Sequence, residues 1–279
     1  MFRAVGVVGV GLLGGSLALA LKQRGLAQSV VGIAPPYHPP AAAELQTAKR
    51  LRVIDQLQIG FGPALERLEA LVVCTPVDRI AEHVREAGKH LPTSAFITDV
   101  GSTKGTIVRS IADERFIGSH PMAGSERSGV EAASAQMFTG RTCILTPTER
   151  TPDELQRRAT RFWEALGMTV LRLSPDEHDA VVGRTSHVPH VAAAAVAAML
   201  EASDRPFVGA GLKDTTRIAS GSPALWTAIL TANKAAVLSG MERMRAQLDA
   251  VAAAIDAGDE TFLQQWLTNA KRVRDALGS

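Results

Sequence analysis

The chain contains little cysteine and few aromatic residues. Its two cysteines, Cys74 and Cys143, lie far apart in the 279 residues, and neither belongs to a CxxC pair. This pattern excludes a disulfide scaffold and argues against a cysteine-based zinc site. It favours a reducing compartment, which we expect to be the cytoplasm. Aromatic residues make up only 4%, so the core must be built mainly from Ala, Val, Leu and Ile.

A strong charge imbalance is also missing. The 30 basic and 28 acidic residues give a formal net charge of +2, without the clustered basic face that is expected of a nucleic-acid-binding protein. Hydrophobic residues at 46% and charged residues at 21% exclude the disordered and fibrous classes. At roughly 150 residues per domain, the length predicts two domains, with one large domain as the alternative.

Long hydrophobic runs are absent apart from residues 4–21, and five glycines interrupt that stretch. A secretory signal peptide is usually Leu-rich and ends in a small-residue cleavage site. A membrane anchor needs about 20 apolar residues. The stretch fits neither description, and we expect no membrane association.

The same stretch is better described as a strand, a turn and a helix. Residues 3–8 are typical of a buried parallel strand, and residues 15–24 are typical of a helix. The turn between them matches G-x-G-x-x-G, whose glycines allow a tight turn, close approach of a pyrophosphate and close helix–strand packing. We therefore predict a dinucleotide site, with cofactor contacts from the turn as a whole: Gly9, Gly11, Leu12, Leu13 and Gly14.

The position that usually selects the cofactor carries no charge. Twenty residues after the last glycine of the motif, an Asp or Glu would indicate NAD, and a nearby Arg would indicate NADP. This chain has Ala34 there, at the end of the predicted strand 29–33. We assign Ala34 to the cofactor site and leave the choice between NAD and NADP open. Tyr37 and His38 are candidates for contacts with adenine or a phosphate, with a proline-stiffened surface loop as the alternative.

Further strands and helices alternate up to about residue 173. This alternation predicts a doubly wound parallel sheet of the Rossmann type. Beyond that point the strand signals vanish, and four segments favour helix: 175–200, 206–219, 223–254 and 261–277. We therefore predict a dinucleotide-binding α/β domain at 1–174. We predict an all-helical domain at 175–279 that binds substrate and completes its Ala-rich core by forming a homodimer.

Three loops that follow predicted strands carry polar residues: 75–76, 99–104 and 118–129. In doubly wound sheets, ligands bind beyond the carboxyl ends of the strands. We therefore place Thr75 and Pro76 at the cofactor. His120, in a loop just after a predicted strand, is suited to act as a base beside a nicotinamide, with a purely structural histidine as the alternative.

The helical domain contributes two pairs of polar residues. His187 and His190 would share a helix face, but no acidic partner follows at metal-ligand spacing and Pro189 disturbs the turn. We therefore expect no metal. Lys213 and Arg217 are four residues apart, where like charges repel. This pair favours binding of a dianionic substrate, with a solvated helix face as the alternative.

Five motifs then occur in a characteristic order: Gly9-x-Gly11-x-x-Gly14, Asp99-Val-Gly-Ser-Thr-Lys104, His120-Pro-Met-Ala-Gly124, Ser186-His-x-Pro-His190 and Asp214-Thr-Thr-Arg217. Together they resemble the prephenate/arogenate (cyclohexadienyl) dehydrogenase family of tyrosine biosynthesis, over nearly the whole chain. The resemblance implies NAD(P)-dependent oxidative decarboxylation of prephenate to 4-hydroxyphenylpyruvate, with arogenate as the alternative substrate. Because it extends over nearly all of the 279 residues, we expect no appended chorismate mutase or ACT-type regulatory domain.

The resemblance also implies a role for each catalytic residue. His120 would accept the proton of the substrate's ring hydroxyl while hydride leaves for the nicotinamide, since a histidine is mostly neutral at working pH. Ser102 would hydrogen-bond the same hydroxyl and help to fix His120. Arg217 would bind a substrate carboxylate through its bidentate guanidinium.

Further residues match pocket positions of the family. His187, His190 and Lys213 are assigned to substrate binding. Because some arogenate-preferring members lack the second histidine of the motif, His190 favours prephenate. Asp179 is a candidate for orienting His187, and Glu126 for gating the pocket, with plain surface carboxylates as the alternatives.

Two other classes of protein remain as alternatives. A β-hydroxy-acid dehydrogenase would use a lysine base on a central helix, and no corresponding motif is apparent. A non-catalytic, nucleotide-binding regulatory protein would keep the α/β domain, but it would have no need for His120, Ser102 and Arg217 together.

Overall fold

The computed structural model describes residues 1–36, 39–125 and 127–278. One sheet contains eight strands: β1 Phe2–Val8, β2 Ala27–Ala34, β3 Gln56–Ile59, β4 Ala70–Val73, β5 Phe96–Asp99, β6 Phe116–Pro121, β7 Thr142–Thr146 and β8 Thr169–Arg172. Their order across the sheet is β3-β2-β1-β4-β5-β6-β7-β8. The pairs from β3 to β6 are parallel, whereas β7 runs antiparallel to β6 and parallel to β8.

The described helices alternate with these strands and then continue alone. They are α1 Leu12–Gln23, α2 Pro39–Arg50, α3 Ile80–Gly88, α4 Gly105–Arg109, α5 Asp153–Ala165, α6 Pro175–Val182, α7 Val188–Ala198, α8 Ala210–Thr216, α9 Pro223–Ala232, α10 Lys234–Ala257 and α11 Glu260–Ala276. Short 3₁₀ turns span Pro63–Arg67, Val130–Ala132, Ala202–Phe207 and Arg217–Ser220, and one π-helical turn spans Gly183–His187.

The sheet is buried on both faces, which explains why its central strands are near-continuous runs of Val, Ile, Leu and Ala. On one face Leu17 of α1 and Trp163 of α5 belong to the core. On the other face Ile80 of α3 and Ile229 of α9 belong to a second core. Because α9 shares a core with α3, this helix is held beside the α/β part of the chain.

Two strands differ from the sequence prediction. Strand β3 was not predicted, because its four residues are polar or partly exposed and give no apolar run. Strand β7 was expected in a parallel sheet but pairs antiparallel with β6. That pairing extends β6 as far as Pro121, so His120 lies within the strand, opposite Ile144, and not in a loop after it.

Three predicted helices are interrupted. The segment 206–219 is α-helical only over Ala210–Thr216, and the breaks in the other two direct polar side chains inward. The segment 175–200 contains the π-helical turn, at the end of which His187 is only 1% exposed. The segment 223–254 breaks at Asn233, which is 5% exposed. Irregular helical turns of this kind are frequent at functional sites.

The chain divides into two compact units, residues 1–234 and 235–279. The first unit contains the sheet and the helices up to α9. The second contains most of α10 and all of α11, where Trp266 Nε1 donates to Gln247 Oε1 over 2.8 Å. The division near residue 174 stays a prediction. Among the described helices, none is both long and apolar enough to cross a membrane.

Candidate active site

The turn between β1 and α1 requires glycine. Gly9 has φ +83°, a conformation that L side chains rarely adopt. A Cβ atom on Gly14 would lie 2.0 Å from the carbonyl oxygen of Gly9. Helix α1 begins directly after Gly11, at Leu12, so its free N–H groups lie where the fold stabilises phosphate.

A cleft of about 740 Å³ opens at this turn, which is within the usual size of a cofactor site. Gly9, Gly11, Thr75 and Pro76 line it, together with residues of α2, α3 and α9. The glycine cradle and the cleft volume fit a dinucleotide. Three residues predicted to contact the cofactor, Ala34, Leu12 and Leu13, are not among the described residues that line the cleft. Ala34 is 1% exposed, and Leu12 and Leu13 form the first turn of α1.

His120 belongs to a buried chain of three side chains. Its Nδ1 lies 2.9 Å from Nε2 of His178, and Nδ1 of His178 lies 2.8 Å from Oδ1 of Asp179. Asp179 also accepts hydrogen bonds from the backbone N–H groups of Lys104 and Gly105. The hydrogen bonds of these three side chains therefore connect α6 to the end of β6 and to the start of α4.

These contacts determine which nitrogen of His120 carries its proton. Although burial alone would raise the pKa of Asp179, hydrogen bonds from His178, Lys104 and Gly105 lower it below its usual value. The ionised carboxylate accepts the proton of His178 Nδ1, so Nε2 of a neutral His178 can only accept. Nδ1 of His120 must then donate, and Nε2 of His120 is left as a free base.

Burial and neighbouring groups keep His120 neutral. Desolvation, followed by the effects of His178, Lys104 and His187, lowers the pKa of His120 well below its usual value. Burial likewise lowers the pKa of His178, against the opposing effect of Asp179. A neutral imidazole at neutral pH is the form that accepts a proton.

A buried ion pair supports the strand end that carries His120. Lys104 and Asp99 are both fully buried and in contact. Lys104 Nζ also donates to the carbonyl of Ser119 over 2.9 Å, and the N–H of Ser119 donates to Asp99 Oδ1 over 3.0 Å. The pair therefore fixes the backbone of the residue that precedes His120.

Two further histidines lie on the helical side of the site. Asn233 Nδ2 donates to the carbonyl of Asp179 over 2.8 Å and to Nδ1 of His187 over 3.0 Å. His190 stacks on Trp226 with ring centroids 3.5 Å apart, and its buried Nδ1 has no hydrogen-bond partner in the described structure. Burial lowers the pKa of His187 to about 4 and also lowers the pKa of His190.

The other predicted site residues lie outside this buried chain. Ser102 is half-buried in the loop between β5 and α4, and its hydroxyl makes no hydrogen bond to His120 or to any other described residue. Lys213 on α8 and Arg217, at the start of the 3₁₀ turn that packs against α7, are exposed. Neither of the two forms an ion pair within the described ranges. Tyr37, His38 and Glu126 lie outside the described residues.

The sequence alone did not identify the residues whose side chains connect separate elements of the fold. His178 was not singled out, and Lys104 and Trp226 received no role. The side chain of Asp179 contacts His178, and only its backbone carbonyl, through Asn233, reaches His187. The Ser174–Glu177 helix start gave no sign of these contacts, because partners 46 to 75 residues apart share no local pattern. Over the described residues, no group of three potential ligands could hold a metal ion.

Sequence profiles of two families match consecutive parts of the chain. Residues 17–172 match "Prephenate dehydrogenase, nucleotide-binding domain". Residues 174–269 match "Prephenate dehydrogenase, dimerization domain". The chain belongs to the prephenate dehydrogenase family.

Individual relatives agree with this assignment. The prephenate dehydrogenase of Bacillus subtilis is 32% identical over 97% of this chain and 75% of its own length. A crystal structure of Aquifex aeolicus prephenate dehydrogenase in complex with hydroxyphenyl propionate and NAD+ has a TM-score of 0.91 at 31% identity, covering 99% of each chain. Synechocystis arogenate dehydrogenase has a TM-score of 0.81 at 29% identity, covering 99% of this chain and 100% of its own.

The comparisons confirm the family that the five motifs predicted, and with it an NAD(P)-dependent dehydrogenase of tyrosine biosynthesis. They also confirm the fold class, an α/β nucleotide-binding domain followed by a helical dimerisation domain. The roles of the individual site residues stay predictions.

Proposed function

We propose that this chain catalyses the oxidative decarboxylation of prephenate to 4-hydroxyphenylpyruvate, with a nicotinamide dinucleotide in the cleft as the hydride acceptor. The observation that carries the proposal is the buried chain from Asp179 through His178 to His120. It leaves a neutral imidazole nitrogen free at the carboxyl end of β6, where this class of sheet binds ligands.

We assign the steps of the reaction as follows. Nε2 of His120 accepts the proton of the C4 hydroxyl while the hydrogen on C4 leaves as hydride for the nicotinamide. The C1–carboxylate bond then breaks, CO2 departs, and its electron pair enters the ring, which becomes aromatic. The oxygen on C4 finally takes back the proton from His120, so that prephenate and oxidised cofactor give 4-hydroxyphenylpyruvate, CO2 and reduced cofactor.

Substrate binding falls to the helical side of the site. The exposed guanidinium of Arg217 and the ammonium of Lys213 are suited to the two carboxylates of prephenate, because an arginine fork fixes both charge and orientation. His190, which stacks on Trp226, is assigned to the substrate pocket. Ser102, in the loop that follows the neighbouring strand β5, is assigned to the C4 hydroxyl.

Arogenate is the competing substrate. It carries an ammonium group where prephenate carries a keto group. The residues assigned to this pocket, His187, His190, Lys213 and Arg217, are neutral or cationic types and include no carboxylate to receive an ammonium. We therefore propose prephenate as the preferred substrate.

The helical part is proposed to form a homodimer. Within residues 235–279, the side chains of Leu248 and Leu267 are each 59% exposed, and Leu277 is 77% exposed. Apolar side chains on a helical pair of this size are suited to burial against a second copy. The mass in solution, measured by light scattering, tests this proposal. The cytoplasmic location of the protein stays a prediction.

Turnover is tested by the absorbance of reduced nicotinamide with prephenate, with arogenate and with neither substrate, each in the presence of NAD+ or NADP+. We expect reduction with prephenate and release of 4-hydroxyphenylpyruvate. His120→Asn should reduce kcat by at least about 100-fold and leave prephenate affinity nearly unchanged. His90→Asn, a change at a half-exposed histidine after α3, is the matched control. Full turnover by the His120 variant would remove the proposed base.

A further inference from the structure

The break between α9 and α10 places a buried amide between two elements of the site. Asn233 is 5% exposed, and its N–H donates to the carbonyl of Ile229 at the end of α9. Its side-chain nitrogen Nδ2 lies 2.8 Å from the carbonyl oxygen of Asp179 and 3.0 Å from Nδ1 of His187. One amide group therefore joins α9 to α6 and to the π-helical turn.

The carbonyl of Asp179 determines the orientation of this amide. A carbonyl oxygen can only accept, so the group of Asn233 that faces it is the –NH2 and not the amide oxygen. The –NH2 group has two protons and can only donate, so its contact with His187 is a donation as well. Nδ1 of His187 therefore accepts, and the proton of a neutral His187 is on Nε2.

His187 is neutral at neutral pH and keeps this single proton. Burial lowers its pKa to about 4 against the opposing effect of Asp179, while His178 and His190 act in the same direction as burial. In the described structure, the hydrogen bond from Asn233 is the one that the His187 ring makes. The Nε2–H bond, which points away from the partner of Nδ1, is therefore a donor available to a ligand.

His187 lies close to the proposed base. It is among the groups that lower the pKa of His120, and its ring stands edge-on to Trp226 with centroids 6.1 Å apart. Trp226 in turn stacks on His190. His120 and His187 thus belong to one site with opposite tautomers, because Nε2 of the first is an acceptor and Nε2 of the second is a donor.

We propose that Asn233 is a positioning residue that makes His187 a hydrogen-bond donor and thereby selects a keto acid over an amino acid as substrate. The side chain of prephenate offers a keto oxygen, which accepts from Nε2–H. The side chain of arogenate carries an ammonium group there, which is itself a donor and leaves Nε2–H without an acceptor. The inference rests on the proposed function, because it gives a physical cause for the proposed preference for prephenate.

The experiment first measures the tautomer of His187, by nitrogen NMR of the imidazole rings in histidine-labelled protein. The signals are assigned with His187→Gln. The proteins compared are the unmodified chain, Asn233→Asp, in which a group that can only accept replaces the donor, and Asn233→Leu, which has neither. Gln28→Glu is the matched control, because it changes an exposed amide to a carboxylate near the start of β2. Thermal unfolding verifies that each variant is folded.

In the unmodified chain we expect the proton of His187 on Nε2 and that of His120 on Nδ1. In Asn233→Asp the new carboxylate accepts from Nδ1 of His187, so the proton leaves Nε2. A neighbouring carboxylate raises the pKa of a histidine by roughly 1 to 3. Since the pKa of His187 starts at about 4, the ring should still be neutral at about pH 8.5, where Nε2 becomes an acceptor.

Selectivity is then measured at the same pH. The ratio of kcat/KM for prephenate to that for arogenate should fall about tenfold in Asn233→Asp, as expected for the loss of one hydrogen bond. It should fall less in Asn233→Leu, where neither tautomer is imposed, and should not change in Gln28→Glu. The product 4-hydroxyphenylpyruvate and tyrosine differ in the same keto and ammonium groups, so their Kd values with NADH report the selectivity without turnover.

A proton on Nδ1 of His187 in the unmodified chain would overturn the proposal, whether or not the variants fold. So would an equal loss for the keto and amino ligands in Asn233→Asp, which is the result expected of a purely structural amide. The predicted tautomer together with selective binding of 4-hydroxyphenylpyruvate, but without turnover of prephenate, would support the role of Asn233 and contradict the proposed reaction.

Discussion

Nδ1 of His120 lies 2.9 Å from Nε2 of His178, although 58 residues separate them in the chain. His178 in turn is fixed by the carboxylate of Asp179, whose pKa is lowered by its hydrogen bonds. This relationship gives His120 one tautomer, with Nδ1 protonated and Nε2 free. It makes His178 a positioning residue for the proposed base, and it can be tested without removing that base.

The first prediction separates the two contacts of His178. In His178→Asn, the amide can still reach Asp179 but is too short for His120. In His178→Gln, the longer side chain places an amide oxygen near the position of Nε2, where it can accept from His120. We expect kcat to fall about 100-fold in the Asn variant, at the low end of what a positioned base contributes, and to recover in part in the Gln variant.

Steady-state kinetics with prephenate checks this expectation, and KM should change little in either variant. His90→Asn is again the control for the loss of an imidazole elsewhere. Equal kcat values in the Asn and Gln variants, or a loss confined to KM, would show that His178 does not act through His120.

The second prediction concerns the acid side of the pH profile. Burial and the nearby His178 and Lys104 lower the pKa of His120 well below its ordinary value. The base therefore stays neutral as the pH falls through the usual histidine range near 6.5. We expect kcat/KM to be flat through that range and to fall only at lower pH, where His120 is protonated. An acid limb centred near 6.5 would contradict the described environment.

The third prediction follows from the same shifts and concerns stability. The folded-state pKa values of His120, His178, His187 and His190 are all lowered, that of His187 to about 4. Between the unfolded value near 6.5 and these lower values, the unfolded chain binds more protons than the folded chain. The free energy of unfolding should therefore fall as the pH decreases through this window.

Urea unfolding at neutral pH and at about pH 5 measures this change. In His187→Gln, the dependence on pH should be weaker, since one of the contributing groups is gone. The change His90→Gln, at a half-exposed histidine after α3, is the control for the loss of an imidazole elsewhere. A stability that rises towards acid would have the wrong sign.

The fourth prediction concerns the buried ion pair between Lys104 and Asp99. Lys104→Met leaves the Asp99 carboxylate buried without its cation, which costs about 3–5 kcal/mol of unfolding free energy. Adding Asp99→Asn to it should recover part of this loss, because no unpaired charge then remains. Lys271→Met, at an exposed ion pair with Asp275, should have little effect. Denaturant unfolding of the four proteins forms the test, and a small loss in Lys104→Met would contradict it.

The fifth prediction concerns Arg217, the exposed guanidinium proposed to bind a substrate carboxylate. Arg217→Ala should raise the KM for prephenate by about 10- to 100-fold, as expected for a charge-assisted hydrogen bond, with a smaller effect on kcat. Arg161→Ala removes another exposed guanidinium, from α5, and should leave KM unchanged. An unchanged KM in Arg217→Ala would remove this residue from the substrate site.

The sequence predicted the structure of a segment where the physical constraint on that segment comes from residues close to it along the chain. The glycines of the β1–α1 turn, the buried apolar strands and the loss of strand signals after residue 173 each depend on neighbours along the chain. They were sufficient to predict the fold class and the cofactor turn. The boundaries of β6 and the antiparallel direction of β7 were not accessible in this way, because strand pairing depends on a partner more than 20 residues away.

The sequence by itself determined the family and the fold class. It gave the residues proposed for the chemistry only as types in order along the chain: a glycine-rich turn, a histidine after a strand, and two cations four residues apart. The tertiary structure decided which of them meet. It joined His120 to His178 and Asp179, brought Asn233 to His187 and stacked His190 on Trp226. Each of these contacts joins separate elements of the fold, and hydrogen bonds and charges act over a few ångströms of space regardless of distance along the chain.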